Sequence, residues 1–348
     1  MKINNREIGP GNSAYIIAEM SGNHAGRLDL ALKIVDEAAR AGADCIKIQT
    51  YTPDTLTIDC DNDYFYIKGK SWNGENLYHL YEKATTPWEW HKAIMDEAAK
   101  VGIDFFSTPF DFSSVDFLED LGVTFYKIAS FELVDIPLLK YVARTGKPMI
   151  MSTGMATIGE IEEAVNAVRS QGNDNIALLR CASAYPAITD EMNLRTMANM
   201  AEVFSVPVGL SDHSMGSIGP VTAVALGGSI IEKHFCLGRE IETPDSAFSM
   251  NPTEFAQMVS DVRQAEKALG RVSYGPSKQE MESLAFRRSL FAVKDIKAGE
   301  TLTRENVRSI RPGYGLPPKY YDILLGSKAL VDIKRGTPLD FGMFANNS

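Results

Sequence analysis

The sequence predicts an α/β fold, a (β/α)8 barrel with a small β-rich module behind it. Three observations carry this. Eight short runs rich in β-branched residues alternate with amphipathic stretches as far as about residue 270. A polar stretch at 270–280 containing Gly275-Pro276 then breaks the pattern, and residues 288–341 read as short strands and turns. No GxGxxG or GxxxxGK motif occurs, so a doubly wound nucleotide-binding sheet is disfavoured.

The strand candidates are 15–19, 45–49, 104–107, 125–128, 149–152, 176–181, 207–211 and 229–234. Between them, Thr86-Pro87-Trp88-Glu89 and Thr157-Ile158-Gly159-Glu160 read as capping boxes, and Asn251-Pro252-Thr253-Glu254 reads as an N-cap followed by proline at the first helical position. Gly42, Gly122 and Gly146 mark helix ends. Residues 51–86 interrupt the alternation with an insertion rich in Asp, Asn and aromatics, at the end of the barrel where catalytic loops gather. The expected organisation is a barrel over 1–270, a linker over 271–286 and a β-rich domain over 287–348. In that last part DIKAGETLT and DIKRGTPLD form a near-repeat, which predicts a pseudo-symmetric module.

At 348 residues, with 45% hydrophobic and 23% charged residues, the chain has the composition of a soluble globular protein large enough for one big domain and one small one. The formal charge of −10 and the lack of a Lys/Arg cluster argue against nucleic-acid binding. No apolar run is long enough for a membrane span, and no secretory signal is visible, which favours the cytoplasm. Cys45, Cys60, Cys181 and Cys236 are scattered without CxxC spacing, which disfavours disulfides and a cysteine zinc site.

Active sites of such barrels lie at the C-terminal strand ends, and here those ends are polar throughout. They carry Glu19, Ser21, Asn23 and His24; Lys47 and Gln49; Ser107 and Thr108; Lys127, Ser130 and Glu132; Ser152; Ser183 and Tyr185; Ser211, Asp212 and His213; and Lys233 and His234, with Asp245 in the last loop. A single serine there is most often structural, but polar groups at every end are not. Lys47 and Lys127 sit in the apolar runs CIKIQ and FYKIAS. A lysine so placed needs an internal partner such as Glu19 or Glu132, an anion to clamp, or a role as Schiff-base nucleophile. The accompanying hydroxyls favour the clamp. His213 and His234 end successive strands, so their rings are neighbours at one mouth, and two imidazoles with water and substrate oxygens suit an open divalent-metal site. His79 and His91 read as structural, and His24 as intermediate.

IAEMSGNH, CIKIQTYTPDTLTID, FSTPFD, FYKIASFE, IMSTGM, AYP, GLSDHS, EKHF and RRSLFAVKDIKAGETLTRENVRSIRPGYG, in that order over nearly the whole chain, resemble the sialic acid synthase family. The resemblance implies a TIM barrel with a C-terminal antifreeze-like (SAF) domain, condensing phosphoenolpyruvate with an open-chain N-acetylated amino sugar and releasing phosphate. It makes His213 and His234 ligands of a divalent ion, Mn2+ first, with Mg2+ or Co2+ as alternatives. Glu19 becomes the carboxylate beside the reacting carbon, with Glu132 as a second carboxylate able to assist water. Lys47, Thr108, Lys127, Ser130, Ser152, Ser183 and Ser211 become phosphoenolpyruvate contacts, and Gln49, Tyr185 and Asp245 line the sugar. Arg311 becomes an arginine that enters the partner's site in a homodimer whose C-terminal domain covers that site. Two positions depart from the pattern: Ser183 stands where the family often has asparagine, and TPDSAFS replaces a longer polar motif around Asp245. QTYTPDTLTID and TPWEWH resemble the pseudaminic acid branch, whose sugar is 2,4-diacetamido-2,4,6-trideoxy-L-altrose. The alternatives are N-acetylneuraminate or legionaminate synthesis and, in another class, a Schiff-base pyruvate aldolase using Lys127.

Overall fold

The computed structural model describes residues 1–68 and 72–345; residues 69–71 of the insertion and the last three of the C-terminal module lie outside the described residues. The chain divides into two compact units, Met1–Gly270 and Arg271–Ser348.

The first unit opens with a hairpin of β1 (Lys2–Ile3) and β2 (Arg6–Glu7). Eight parallel strands follow: β3 (Tyr15–Glu19), β4 (Cys45–Thr50), β5 (Asp104–Pro109), β6 (Tyr126–Ile128), β7 (Met149–Ser152), β8 (Ile176–Cys181), β9 (Val208–Asp212) and β10 (Ile230–His234). They close in chain order, with β10 pairing back onto β3 so that His234 lies opposite Glu19. The predicted barrel is therefore observed, each strand within two residues of its expected bounds. Helices α1 (Leu28–Arg40), α2 (His91–Val101), α3 (Phe112–Leu121), α4 (Ile136–Ala143), α5 (Ile158–Arg169), α6 (Thr196–Phe204), α7 (Ile218–Ala225) and α8 (Pro252–Leu269) surround it. Among the described residues, no helix is long and apolar enough to cross a membrane.

Local sequence explains the helix ends. Thr157 and Glu160 form the capping box of α5, and Asn251 and Glu254 that of α8, with Pro252 at the first turn. Gly122 ends α3 with φ of +84°. The expected box at Thr86 does not form. Its hydroxyl bonds the His24 ring at 3.2 Å, Pro87 leads into a 3-10 turn over Trp88–Trp90, and α2 starts only at His91. A buried imidazole thus outcompetes the backbone for that oxygen.

The two-residue period of each strand sorts side chains into two cores. Outward residues such as Ile16, Ile46, Ile128, Met149, Leu178 and Ile231 pack under the helices. Inward residues Tyr15, Ile17, Cys45, Phe106, Phe125, Ile150, Leu179 and Ile230 fill the barrel floor, with Phe106 stacked on Phe125 at 4.2 Å, and Ile3 and Ile8 of the hairpin region join them. Continuing the same inward rows upward puts the polar groups above this dry floor.

The second unit pairs β11 (Ser289–Ala292) antiparallel with β12 (Val307–Ile310) over a core of Leu290, Ile296, Leu302, Val307, Ile333 and Leu339. The near-repeat is reciprocal. Ile296 and Ile333 exchange both backbone hydrogen bonds at 2.8 Å. Asp295 accepts from the backbone of Arg335 and Asp332 from that of Ala298, each at 2.9 Å, and Lys297 and Lys334 each pair with the opposite aspartate.

Gly209 of β9 faces the barrel interior where strands crowd, and a Cβ there would stand 2.2 Å from the Ile230 carbonyl oxygen. Gly209→Ala should destabilise by about 3 kcal/mol or more. Gly159→Ala, in open space on α5, should stabilise by up to about 1 kcal/mol. Denaturant midpoints of the two variants check both signs.

Candidate active site

Above the apolar floor the inward rows become ionic. Glu19 forms an ion pair with the Lys47 ammonium at 2.6 Å and accepts a hydrogen bond from Gln49 Nε2 at 3.0 Å. Lys47 also reaches Thr108 Oγ1 at 3.3 Å, and Lys127 donates to Ser152 Oγ at 2.7 Å. Between the lysines stands Glu232, whose Oε1 is 3.6 Å from each ammonium and accepts from Ser211 Oγ at 3.2 Å. All of these side chains are buried except Gln49, which is partly so. Burial pulls Lys127 down despite Glu232, whereas Glu19 and Glu232 outweigh burial at Lys47 and push it up. Burial drives Glu19 up against Lys47. Glu232 goes down because Lys127 and Lys47 overcome its burial.

Beside this lattice, Ser130 and Ser183 share a hydrogen bond of 2.9 Å next to Gly154. Gly154 adopts φ of +48°, and a Cβ there would stand 2.4 Å from that of Ser130, so glycine is required. The His213 and His234 rings are 5.2 Å apart, and both pack on Phe248. His213 Nδ1 lies 3.0 Å from the Ala182 carbonyl, which leaves its Nε2 for the site. His234 is buried, and its Nδ1 has no hydrogen-bond partner. Burial, with His213 and the lysines nearby, holds it well below the ordinary imidazole range, so the ring is neutral. A neutral, orphaned imidazole beside one oriented by a carbonyl is a fitting pair of metal ligands. Among the described residues, no third His, Cys, Asp or Glu joins them in a metal-binding group, so further ligands would come from substrate or water.

Tyr185 packs 4.3 Å from His213. Asp245 is buried, faces the Gly22 amide at 3.4 Å and is raised by that burial. Glu132, just beyond β6, has a buried Oε2 without a hydrogen-bond partner, and burial, partly opposed by Lys127, lifts its carboxyl to about 7. Arg311 belongs to the second unit, exposed just beyond β12.

Strand parity corrects three expectations. Ser107 points outward and bonds Thr50, which also holds His91. Lys233 points outward into a buried pair with Asp212 at 2.5 Å. Neither lysine pairs with Glu132; Glu232 takes that place. Glu232 went unnoticed in the sequence, although the signal was there. If His234 faces inward, so does the residue two before it. His24 and His91 are buried and bonded to Thr86 and Thr50, consistent with structural roles.

The NeuB family matches residues 34–274, and the SAF domain matches residues 287–345. The chain belongs to the NeuB family. Among relatives of this NeuB-family chain, pseudaminic acid synthase of Campylobacter jejuni is 48% identical over 330 residues, covering 95% of this chain and 96% of the relative. Pseudaminic acid synthase of Helicobacter pylori is 45% identical, covering 93% and 96%. A crystal structure of N-acetylneuraminic acid synthetase from Leptospira borgpetersenii aligns with a TM-score of 0.73 at 33% identity, over 82% of this chain and 94% of that one. The NeuB-family match covers the first unit from residue 34 and runs four residues past its end, and the SAF match lies on the second.

The environment of Glu132 yields a stability prediction. Its folded carboxyl titrates near 7 against an ordinary 4.5. The folded state therefore holds a proton that the unfolded chain has released, and stability contributed by the protonated form is lost as pH rises through about 7. Glu132→Gln cannot ionise, so relative to wild type it should gain on the order of 1–3 kcal/mol between pH 5 and pH 8. Chemical denaturation at both pH values measures the gain, and an equal effect at both would contradict it.

Proposed function

We propose that this chain is a pseudaminic acid synthase, joining phosphoenolpyruvate to 2,4-diacetamido-2,4,6-trideoxy-L-altrose and water to give pseudaminic acid and phosphate. One observation carries the proposal: two buried lysines with hydroxyl donors, facing Glu19 and a histidine pair, in a chain 48% identical to an enzyme of that name. Lys47, Thr108, Lys127, Ser152 and Ser211, with Ser130 and Ser183 beside them, would take the phosphate and carboxylate oxygens. Gln49, Tyr185 and Asp245 would orient the sugar. His213 and His234 would hold a divalent ion, Mn2+ or else Mg2+ or Co2+, whose chemistry is polarisation of the sugar aldehyde.

As C3 of phosphoenolpyruvate bonds to the aldehyde carbon, the carbonyl π pair moves onto the aldehyde oxygen, which takes up a proton to become a hydroxyl, and positive charge grows at C2. Glu19 stabilises that charge. Water adds to C2 as Glu132 accepts one proton, and the tetrahedral intermediate then loses phosphate with the C–O bonding pair while its new hydroxyl gives up its proton, leaving the C2 ketone. Glu132 suits the base role better than Glu19, because Lys47 already occupies Glu19 whereas Glu132 is unpaired and titrates near 7. The depressed Lys127 is the feature a Schiff-base aldolase would need. Its bonds to Ser152 and the Ile128 carbonyl instead fit an anchored cation.

The working unit in this proposal is a homodimer, with Arg311 of one copy reaching the sugar held by the other. Exposed apolar side chains on successive loops around the barrel mouth support it, among them Phe131, Met155, Ile188 and Met215. Such a rim is costly to leave in water.

Phosphate release from phosphoenolpyruvate should be faster, in kcat/KM, with the diacetamido trideoxy sugar than with N-acetylmannosamine or the legionaminate precursor. EDTA should abolish it and Mn2+ restore it, and kcat/KM should rise with pH through about 7, a limb absent from Glu132→Gln. Preference for N-acetylmannosamine would reject the product assignment. For the dimer, mixing Arg311→Ala with His213→Ala subunits should recover activity well above either parent. No recovery after verified subunit exchange would place the arginine in its own subunit's site.

A further inference from the structure

Of Tyr64, Phe65 and Trp72 in the inserted segment, one is built into the mouth of the barrel. Tyr64 is 88% exposed, and Phe65 is only partly buried in its own turn. Trp72 is different. Its ring lies 5.7 Å from that of Tyr185, which packs against His213 at 4.3 Å. Its indole N–H donates to the Pro244 carbonyl at 3.1 Å, immediately before the buried Asp245. With its one polar group used, the ring offers the site only an apolar face and edge. Trp72 also adopts φ of +55°, a strained conformation for a bulky residue that persists where surrounding contacts enforce it.

We infer that Trp72 determines sugar specificity by forming an apolar wall against the end of the sugar remote from its aldehyde, selecting a methyl group there over a hydroxymethyl group. This rests on the function proposed above and names the residue that reads the substrate's deoxygenated end. The aldehyde belongs beside His213 and His234. An open-chain six-carbon sugar extends about 6 Å from its first carbon to its last, judged from ordinary carbon–carbon bond lengths. From His213 the ring contacts pass through Tyr185 to Trp72 in centroid steps of 4.3 and 5.7 Å, so Trp72 stands one ring beyond the one that packs on His213. Against an indole face a methyl gains burial, whereas a hydroxyl loses water without gaining a partner.

The test compares kcat/KM for the trideoxy sugar and its 6-hydroxy counterpart in wild type, Trp72→Phe and Trp72→Ala, with the KM for phosphoenolpyruvate and the melting temperature measured alongside. Wild type should favour the deoxy sugar by about 10- to 100-fold, the discrimination an apolar pocket achieves against a hydroxyl. Trp72→Ala should reduce that ratio at least tenfold, mainly through the deoxy sugar, and leave the KM for phosphoenolpyruvate unchanged. Trp72→Phe, which keeps an apolar ring, should retain most of the preference. A ratio unchanged in Trp72→Ala, or a parallel loss on both sugars, overturns the role of Trp72 while leaving the product assignment standing. A wild type without preference for the deoxy sugar overturns the selection itself, whereas the product assignment falls only if N-acetylmannosamine is preferred.

Discussion

Two ammonium groups enclosed in a barrel above an apolar floor are the constraint around which the rest is organised. Lys47 and Lys127 rise from strands whose next inward residues are Cys45 and Phe125, so neither can be solvated from below. Glu19 and Glu232 supply the countercharge, and Thr108, Ser152 and Ser211 complete the hydrogen bonding. An arrangement so dry tolerates ions only as a mutually satisfied group. In the proposed function, an anion entering from the mouth would compete with the two carboxylates for donors already assembled.

The same barrel end holds four carboxylates in different environments. Lysines press Glu232 down, Glu19 is caught between burial and one ammonium, and Glu132 and Asp245 are raised by burial. Environment separates acids of the same type into different roles. The histidines divide likewise. Thr86 and Thr50 occupy the rings of His24 and His91, whereas His234 keeps a ring nitrogen without a partner.

Much of this was legible in the sequence, because barrel strands announce themselves by β-branched runs and their ends by polar residues. Glu19, Lys47, Lys127, Ser211, His213 and His234 were found that way, and the structure brings them to one mouth. What escaped was parity. Treating a strand end as a point instead of an alternating row placed Ser107 and Lys233 at the mouth and overlooked Glu232. Thr86 departs for another reason: its local pattern satisfies a capping rule, but the competing donor, the His24 ring, lies 62 positions away in sequence, beyond the reach of any local rule.

Barrel closure joins the first of the eight strands to the last, Tyr15–Glu19 against Ile230–His234. Glu19 and His234 sit opposite each other on that seam, so the carboxylate made early and the imidazole made late meet only when the ring shuts. A nascent chain emerging from the ribosome carries Glu19 and both lysines long before Glu232 exists to neutralise them. Contacts this distant in sequence form slowly. During synthesis the charged residues must stay hydrated in an open, incomplete sheet, and they become desolvated only on completion of the last strand, which carries both Glu232 and His234.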